Sequence, residues 1–173
     1  MKRLVAGFIA GTLATVPMTM FMLVMHYLLV SDDERSMPPY EITMRASDKT
    51  GFWHKLLGEE ERKSVTLAAH FGYGGMAGML YALLPRLVSL PAVVHGMGFG
   101  IFFWAANYLG ILPALNLFPH QLHDHPGRRA ATIGAHVVWG AALGQGLAQL
   151  AGGGQPSQMV PVDNRLPPKE TMV

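Results

Sequence analysis

The sequence predicts an all-α, polytopic membrane protein, a compact bundle of four transmembrane helices. The first reason is composition: 50% of the 173 residues are hydrophobic and only 14% are charged, whereas soluble domains average about 25% charged residues. The second is that the apolar residues gather in four runs of roughly 20 residues, the length that crosses a bilayer core. The third is a repeat shared by two of these runs.

The repeat has the pattern Ala-His-x-x-aromatic-Gly-x-x-x-Gly-x-x-x-Ala. It occupies residues 69–82 and returns 66 positions later, at residues 135–148. With about 3.6 residues per turn, its histidine, its aromatic residue and both glycines fall on one stripe of a helix. We therefore predict two related membrane helices, each with one histidine near its start, His70 and His136.

The first span is predicted at about residues 4–30. Its apolar run is too long for the core of a signal peptide and no convincing cleavage site follows it, so we interpret it as a retained helix. Residues 31–64 form the one sizeable polar segment, and the stretch from Tyr40 to Lys49 within it is expected to form an interfacial amphipathic helix between spans one and two.

The other spans are predicted at about residues 65–84, 92–112 and 130–150. The short connection between the second and third implies that these two are antiparallel neighbours. Residues 1–150 would then form one four-span membrane domain. Residues 151–173, which are polar and rich in Gly and Pro, are expected to form a flexible tail.

Each predicted span carries two glycines four positions apart. Because there is little hydrophobic drive between helices in lipid, small residues that let backbones approach are what favour packing. The repeat further suggests two helix pairs, first with second and third with fourth, related by a pseudo-twofold axis along the membrane normal. The glycine pairs are Gly7/Gly11, Gly74/Gly78, Gly96/Gly100 and Gly140/Gly144.

Alternating span directions bring seven of the eight histidines near one membrane face and leave His95 near the other. Imidazole nitrogens bind Zn, Cu or Fe, and two histidines at matching depth can hold a haem iron. Ionisable residues inside a membrane are costly, which favours a functional role. The candidate cofactor ligands are His70 and His136, and the candidate metal ligands are His26, His70, His120, His123, His125 and His136.

A structural role for the same histidines stays open. His70 and His136 would each bond a backbone carbonyl or a neighbouring helix and so define the register of the bundle. The tract from His120 to His125 would be a solvated, pH-sensitive loop, and His26 an interfacial residue. His95 is expected to be structural, and Asn107 to hydrogen-bond across helices.

Several functional classes are disfavoured. The chain has no cysteine, so disulfides, thiolate metal sites and cysteine nucleophiles are ruled out. Its net charge of +2 does not favour nucleic acid. There is no phosphate-binding glycine loop, HExxH motif or serine nucleophile motif. Enzymatic chemistry is therefore expected only if the histidines hold a metal.

Four features of the chain resemble one family. They are the opening Ala6–Gly11, the segment Pro38–Thr43, the two Ala-His helices, and the Arg128-Arg129 pair before the last span. Over about residues 4–150 they resemble small bacterial inner-membrane proteins of the YagU-like kind. The resemblance implies a multi-pass protein of the bacterial inner (plasma) membrane with the two helix histidines as recurring features, and it implies no activity.

We therefore expect an integral membrane protein that binds a metal ion or haem through histidines near one membrane face. The alternatives are a non-catalytic subunit whose GxxxG faces dock a larger membrane complex, and a small transporter built from the repeat. The expected partners are the bilayer and either another membrane protein or a second copy of the chain. Eight of the thirteen Lys and Arg residues lie on the histidine-rich side, which indicates that this side is cytoplasmic.

Overall fold

The computed structural model describes residues 1–29, 37–51, 58–84, 90–119 and 124–151, and over these ranges the regular secondary structure is all helical. The fourth helix continues through a π-helical stretch, Ala106–Ile111, into the fifth, so that residues 92–114 form one long helix. The α-helices are α1 (Lys2–Leu29), α2 (Pro38–Thr50), α3 (Glu59–Leu83), α4 (Ala92–Ala105), α5 (Leu112–Ala114) and α6 (Pro126–Ala151).

Helix ends follow from local chemistry. Two prolines open α2, where the missing N–H groups cost nothing, and Gly51 ends it with a left-handed φ of 65°. In α3 the Glu61 carboxylate accepts a hydrogen bond from the N–H of Gly58, and three glutamates in the first turn lie at the positive end of the helix dipole. The helix predicted between spans one and two is confirmed as α2.

The glycine pairs join the helices two by two, α1 with α3 and α4 with α6, as the repeat predicts. A methyl group added at Gly11 would lie 2.9 Å from the Cα of Gly78, and one added at Gly96 would lie 2.9 Å from the Cα of Gly144. Both distances are shorter than real side-chain contacts, so each crossing needs glycine. All four GxxxG pairs are therefore used inside the chain, and both helix pairs are antiparallel.

A third close contact, between α1 and α6, joins the two pairs into one bundle. At its centre the indole Nε1 of Trp139 donates to the Gly11 carbonyl, 3.3 Å away. Ala135 and Leu143 of α6 are fully buried against the same core. Because α6 is packed against both α1 and α4, it presents few large side chains to the outside.

The fourth contact, between α3 and α4, is of a different kind. Over their described lengths these helices lack the close glycine crossing of the other pairs and meet through aromatic side chains. The rings of Tyr73 and Phe103 have centroids 5.6 Å apart, and those of Tyr81 and Phe99 are 5.0 Å apart. This side of the bundle is therefore wider at backbone level than the others.

Two of the described helices are long and apolar enough to cross a bilayer, Lys2–Leu28 and Ala92–Ala114. The sequence led us to expect four, and by length and composition α3 and α6 do not qualify. The reason is composition: Gly, His and Tyr lower the mean hydropathy of α3, and Gly and Gln lower that of α6. The all-helical class is confirmed for the described residues, and the length and composition of two helices are compatible with a membrane position.

Candidate ligand cavity

A cavity of about 390 Å³ lies inside the bundle at the end where α3 and α6 begin. Every long helix lines it, and α2 adds a wall through Ile42 and Ala46. The lining is mostly apolar, with a few polar side chains, which is typical of small-molecule sites of about 300–1,000 Å³. The polar residues that line it are Thr15, Thr43, His70, Tyr73, Asn107, Tyr108 and His136.

His136 lies on α6, buried, with its ring orientation set by its own helix. Its Nδ1 is 2.8 Å from the carbonyl oxygen of Thr132, one turn earlier. Because a carbonyl oxygen only accepts, Nδ1 carries the proton, and Nε2 of the neutral ring is left as an acceptor. The ring of Tyr108 packs edge-on against this imidazole, with centroids 5.7 Å apart.

His70 lies at the equivalent place in the other copy of the repeat. Its Nε2 is buried and has no hydrogen-bond partner among the described residues. A buried nitrogen left unpaired costs about 1–3 kcal/mol, so such an atom calls for a water, an ion or a ligand. His70 and His136 line the same cavity, so the structure brings together the two histidines that the repeat singled out.

Asn107, in the π-helical stretch that continues α4, is linked to α3 at the cavity wall. The hydroxyl of Tyr73 donates to Oδ1 of Asn107 at 2.5 Å, and Nδ2 of Asn107 donates to the carbonyl of Phe103 at 2.8 Å. The predicted hydrogen bond across helices is confirmed. Asn107 is buried although its helix passes through apolar surroundings, because both ends of its amide are satisfied.

The π-helical stretch was not predicted. It carries Asn107 and Tyr108 toward the cavity and lies just before Pro113. Proline has no N–H to bond the carbonyl of Leu109, and its ring clashes with that carbonyl in an α-helix. The wider turn relieves this conflict, and such turns recur at functional sites. Pro113 four residues after Leu109 was the only signal in the sequence that could have indicated it.

An ion-pair cluster holds α2 beside the start of α6. Arg128 is 2.7 Å from a carboxylate oxygen of Glu41 and 3.5 Å from one of Asp124. Its guanidinium also lies over the ring of Phe118, 5.2 Å from the centroid. The Arg128 side chain is only 12% exposed, so these contacts are shielded from water and secure the α2 wall of the cavity.

Two other predicted metal ligands, His26 and His125, lie apart from the pair. His26 is half-buried near the end of α1 but does not line the cavity, and His125 is exposed, with its Nδ1 accepting from the N–H of Gly127 at 3.3 Å. His120 and His123 lie outside the described residues. Among the residues that are described, no three His, Asp or Glu side chains lie where they could hold a metal ion together.

His95 is at the opposite end of the bundle, as the alternating directions predict. Its Nδ1 is 3.0 Å from the hydroxyl of the buried Tyr81 on α3. The two rings also pack on each other, with centroids 5.5 Å apart. A contact to the neighbouring helix agrees with the structural role expected for this histidine.

Residues 30–144 match the family described as "Protein of unknown function (DUF1440)". The chain belongs to this family. The match in this DUF1440 protein runs from before α2 into α6 and so includes both cavity histidines, Asn107 and the π-helical stretch. No curated protein and no solved structure matches the chain.

Proposed function

We propose that this DUF1440 protein crosses the membrane with its four long helices and binds a small ligand in the cavity, with His70 and His136 as the polar contacts. One observation carries the proposal. The two copies of the repeat each supply one histidine to the same cavity, and one of these has a buried Nε2 without a partner.

The outer surface supports four membrane-crossing helices. Besides the two strongly apolar helices, α3 exposes Leu67, Met76, Leu80 and Leu83, and soluble monomers rarely leave so many large apolar side chains together in water. At about 1.5 Å per residue, the 25 residues of α3 span about 37 Å, more than the ~30 Å hydrocarbon core. Since α6 is packed between α1 and α4, its lower hydropathy is compatible with a membrane position.

The YagU-like resemblance agrees with this proposal, because it implies a multi-pass protein of the bacterial inner membrane. The excess of Lys and Arg on the histidine-rich side supports a cytoplasmic position for the cavity end. The bilayer would then be the main partner. Docking of a larger complex through the GxxxG faces loses its basis, since all four glycine pairs are packed within the chain.

The second candidate is binding of haem or a transition-metal ion by His70 and His136. The hydrogen bond from Nδ1 of His136 to the Thr132 carbonyl favours it, because metal-ligating histidines commonly donate their other ring N–H to a carbonyl. Two histidines are enough for the axial positions of a haem iron. A bare Zn ion prefers four ligands, and the described residues do not provide a cluster of that kind.

The test is to purify untagged protein in mild detergent without chelator and to identify what it carries. Native mass spectrometry should show a bound small molecule that is lost from the His70→Ala/His136→Ala variant and kept by His95→Ala, the matched control at the other end of the bundle. Iron, copper, zinc or manganese near one equivalent, or a haem absorption band, would favour the second candidate. If the double variant retains the molecule that the native protein binds, His70 and His136 are packing residues and not ligand contacts.

A further inference from the structure

We infer that the cavity opens sideways between α3 and the π-helical stretch, and that its ligand is an uncharged, membrane-dissolved amphiphile with a hydroxyl head group and an apolar tail. This inference rests on the proposed function and specifies its ligand and its route.

The opening follows from how the helices pack. The α1–α3, α1–α6 and α4–α6 contacts are close, and glycines hold the two antiparallel pairs together backbone to backbone. On the α3–α4 side, aromatic side chains fill the space between the two helices instead. Where the facing residues are not aromatic, a gap between the helices remains, which we call the slot. Tyr73 and Asn107 bridge the two helices at one level.

One turn beyond that bridge, toward the histidine-rich end, the slot is unbridged. Because α3 and α4 are antiparallel, Ala69 and Ile111 come to this level, each four residues from a bridging partner. Both line the cavity, and both are nonetheless exposed, Ile111 to 50%. Because Ala69 and Ile111 are accessible and line the cavity from the two facing helices, we place the gap in the cavity wall between them, on the side that would face lipid.

The lining selects the chemistry of the ligand. None of the described residues that line the cavity is Asp, Glu, Lys or Arg, so a phosphate or ammonium head group would enter without a counter-charge, at high cost. Nε2 of His136 can accept a hydrogen bond, and Nε2 of His70 lacks a partner. A hydroxyl head group donates to Nε2 of His136 and accepts from Nε2 of His70 in the tautomer that carries its proton there. The apolar wall around Met18 and Trp139 suits a hydrocarbon tail.

Trp139 provides the reporter for a test. It lines the cavity and is 2% exposed, whereas Trp104 does not line it. In a Trp53→Phe/Trp104→Phe background Trp139 is the sole tryptophan. The probe is a brominated phenol with an alkyl chain, because bromine quenches indole fluorescence on contact. The full-length protein is reconstituted in phosphatidylcholine vesicles, and the probe is titrated into the bilayer.

We expect saturable quenching of Trp139. Ala69→Phe should fill the slot and weaken binding at least tenfold, while Ala68→Phe, a neighbouring exposed alanine that does not line the cavity, should leave it within twofold. His136→Phe should weaken binding about three- to tenfold, which is what one lost hydrogen bond of about 1 kcal/mol produces. Circular dichroism confirms that each variant is folded.

Four results would overturn the inference, and only the last also counts against the proposed function. If quenching by the alkylated probe alone fails to saturate, the probe reaches Trp139 from bulk lipid and the slot is refuted. The slot is also refuted if Ala69→Phe and Ala68→Phe change the quenching by the same amount. If tailless 4-bromophenol quenches saturably and the alkylated probe does not quench, the ligand is not an amphiphile with an apolar tail. The proposed function would still hold in that case. Saturable quenching by neither probe, in folded protein, refutes the inference and counts against a ligand-binding cavity as well.

Discussion

Replacing Gly96 by alanine tests the glycine crossing on which the bundle depends. The added methyl group would lie 2.9 Å from the Cα of Gly144 and 3.0 Å from the carbonyl carbon of Gly140. Carbon atoms in favourable contact are about 3.5–4.0 Å apart. Since both neighbours are backbone atoms of α6, no side chain can rotate away, and the two helices have to separate.

The magnitude follows from two opposing terms. Overpacking of a close contact costs about 1–3 kcal/mol, and a methyl group against the backbone of two residues of α6 belongs at the upper end of that range. Alanine gains back up to about 1 kcal/mol because it is a better helix former than glycine. We therefore expect Gly96→Ala to lower the free energy of unfolding by about 2 kcal/mol.

The matched control is Gly98→Ala, two residues further along α4. A methyl group there meets nothing within 4 Å, so only the propensity term acts, and stability should stay level or rise by up to about 1 kcal/mol. The assay is reversible unfolding in mixed micelles, followed by circular dichroism. Equal stability of the two variants would refute the argument that close backbone contact holds α4 on α6.

The remaining predictions concern the walls of the cavity. Arg128→Ala removes the cation that pairs with Glu41 of α2, so the α2 wall should loosen and protease cleavage within α2 should accelerate several-fold. Lys63→Ala, which breaks an exposed pair, should change neither cleavage nor stability. Tyr73→Phe removes the donor to the buried Asn107 and should destabilise the protein by about 1–3 kcal/mol; unchanged unfolding would mean that the amide finds another partner.

The helices and their pairing could be predicted from the sequence because both depend on short-range patterns. A stripe of glycines four positions apart on a helix matches a like stripe on its neighbour, so the crossing of Gly11 with Gly78 and that of Gly96 with Gly144 were foreseeable. Alternating directions also placed His70 and His136 at one end and His95 at the other.

Among the described residues, fewer histidines meet at the cavity than the sequence predicted, for a physical reason. Depth in a membrane follows from position along a helix, but contact also requires the right side of that helix. His26 and His125 share an end of the bundle with His70 and His136, yet neither lines the cavity. Counting histidines by membrane face therefore predicted a larger site than the described residues form.

The sequence by itself determined the helical class, the two antiparallel glycine-packed pairs and the likeness of the two repeat histidines, since each follows from patterns that lie within single helices. Only the tertiary structure decided that these histidines line one cavity, that a π-helical turn before Pro113 places Asn107 beside Tyr73, and that the α3–α4 side lacks a glycine crossing. These features depend on the rotation of each helix about its own axis, which all neighbouring helices set together.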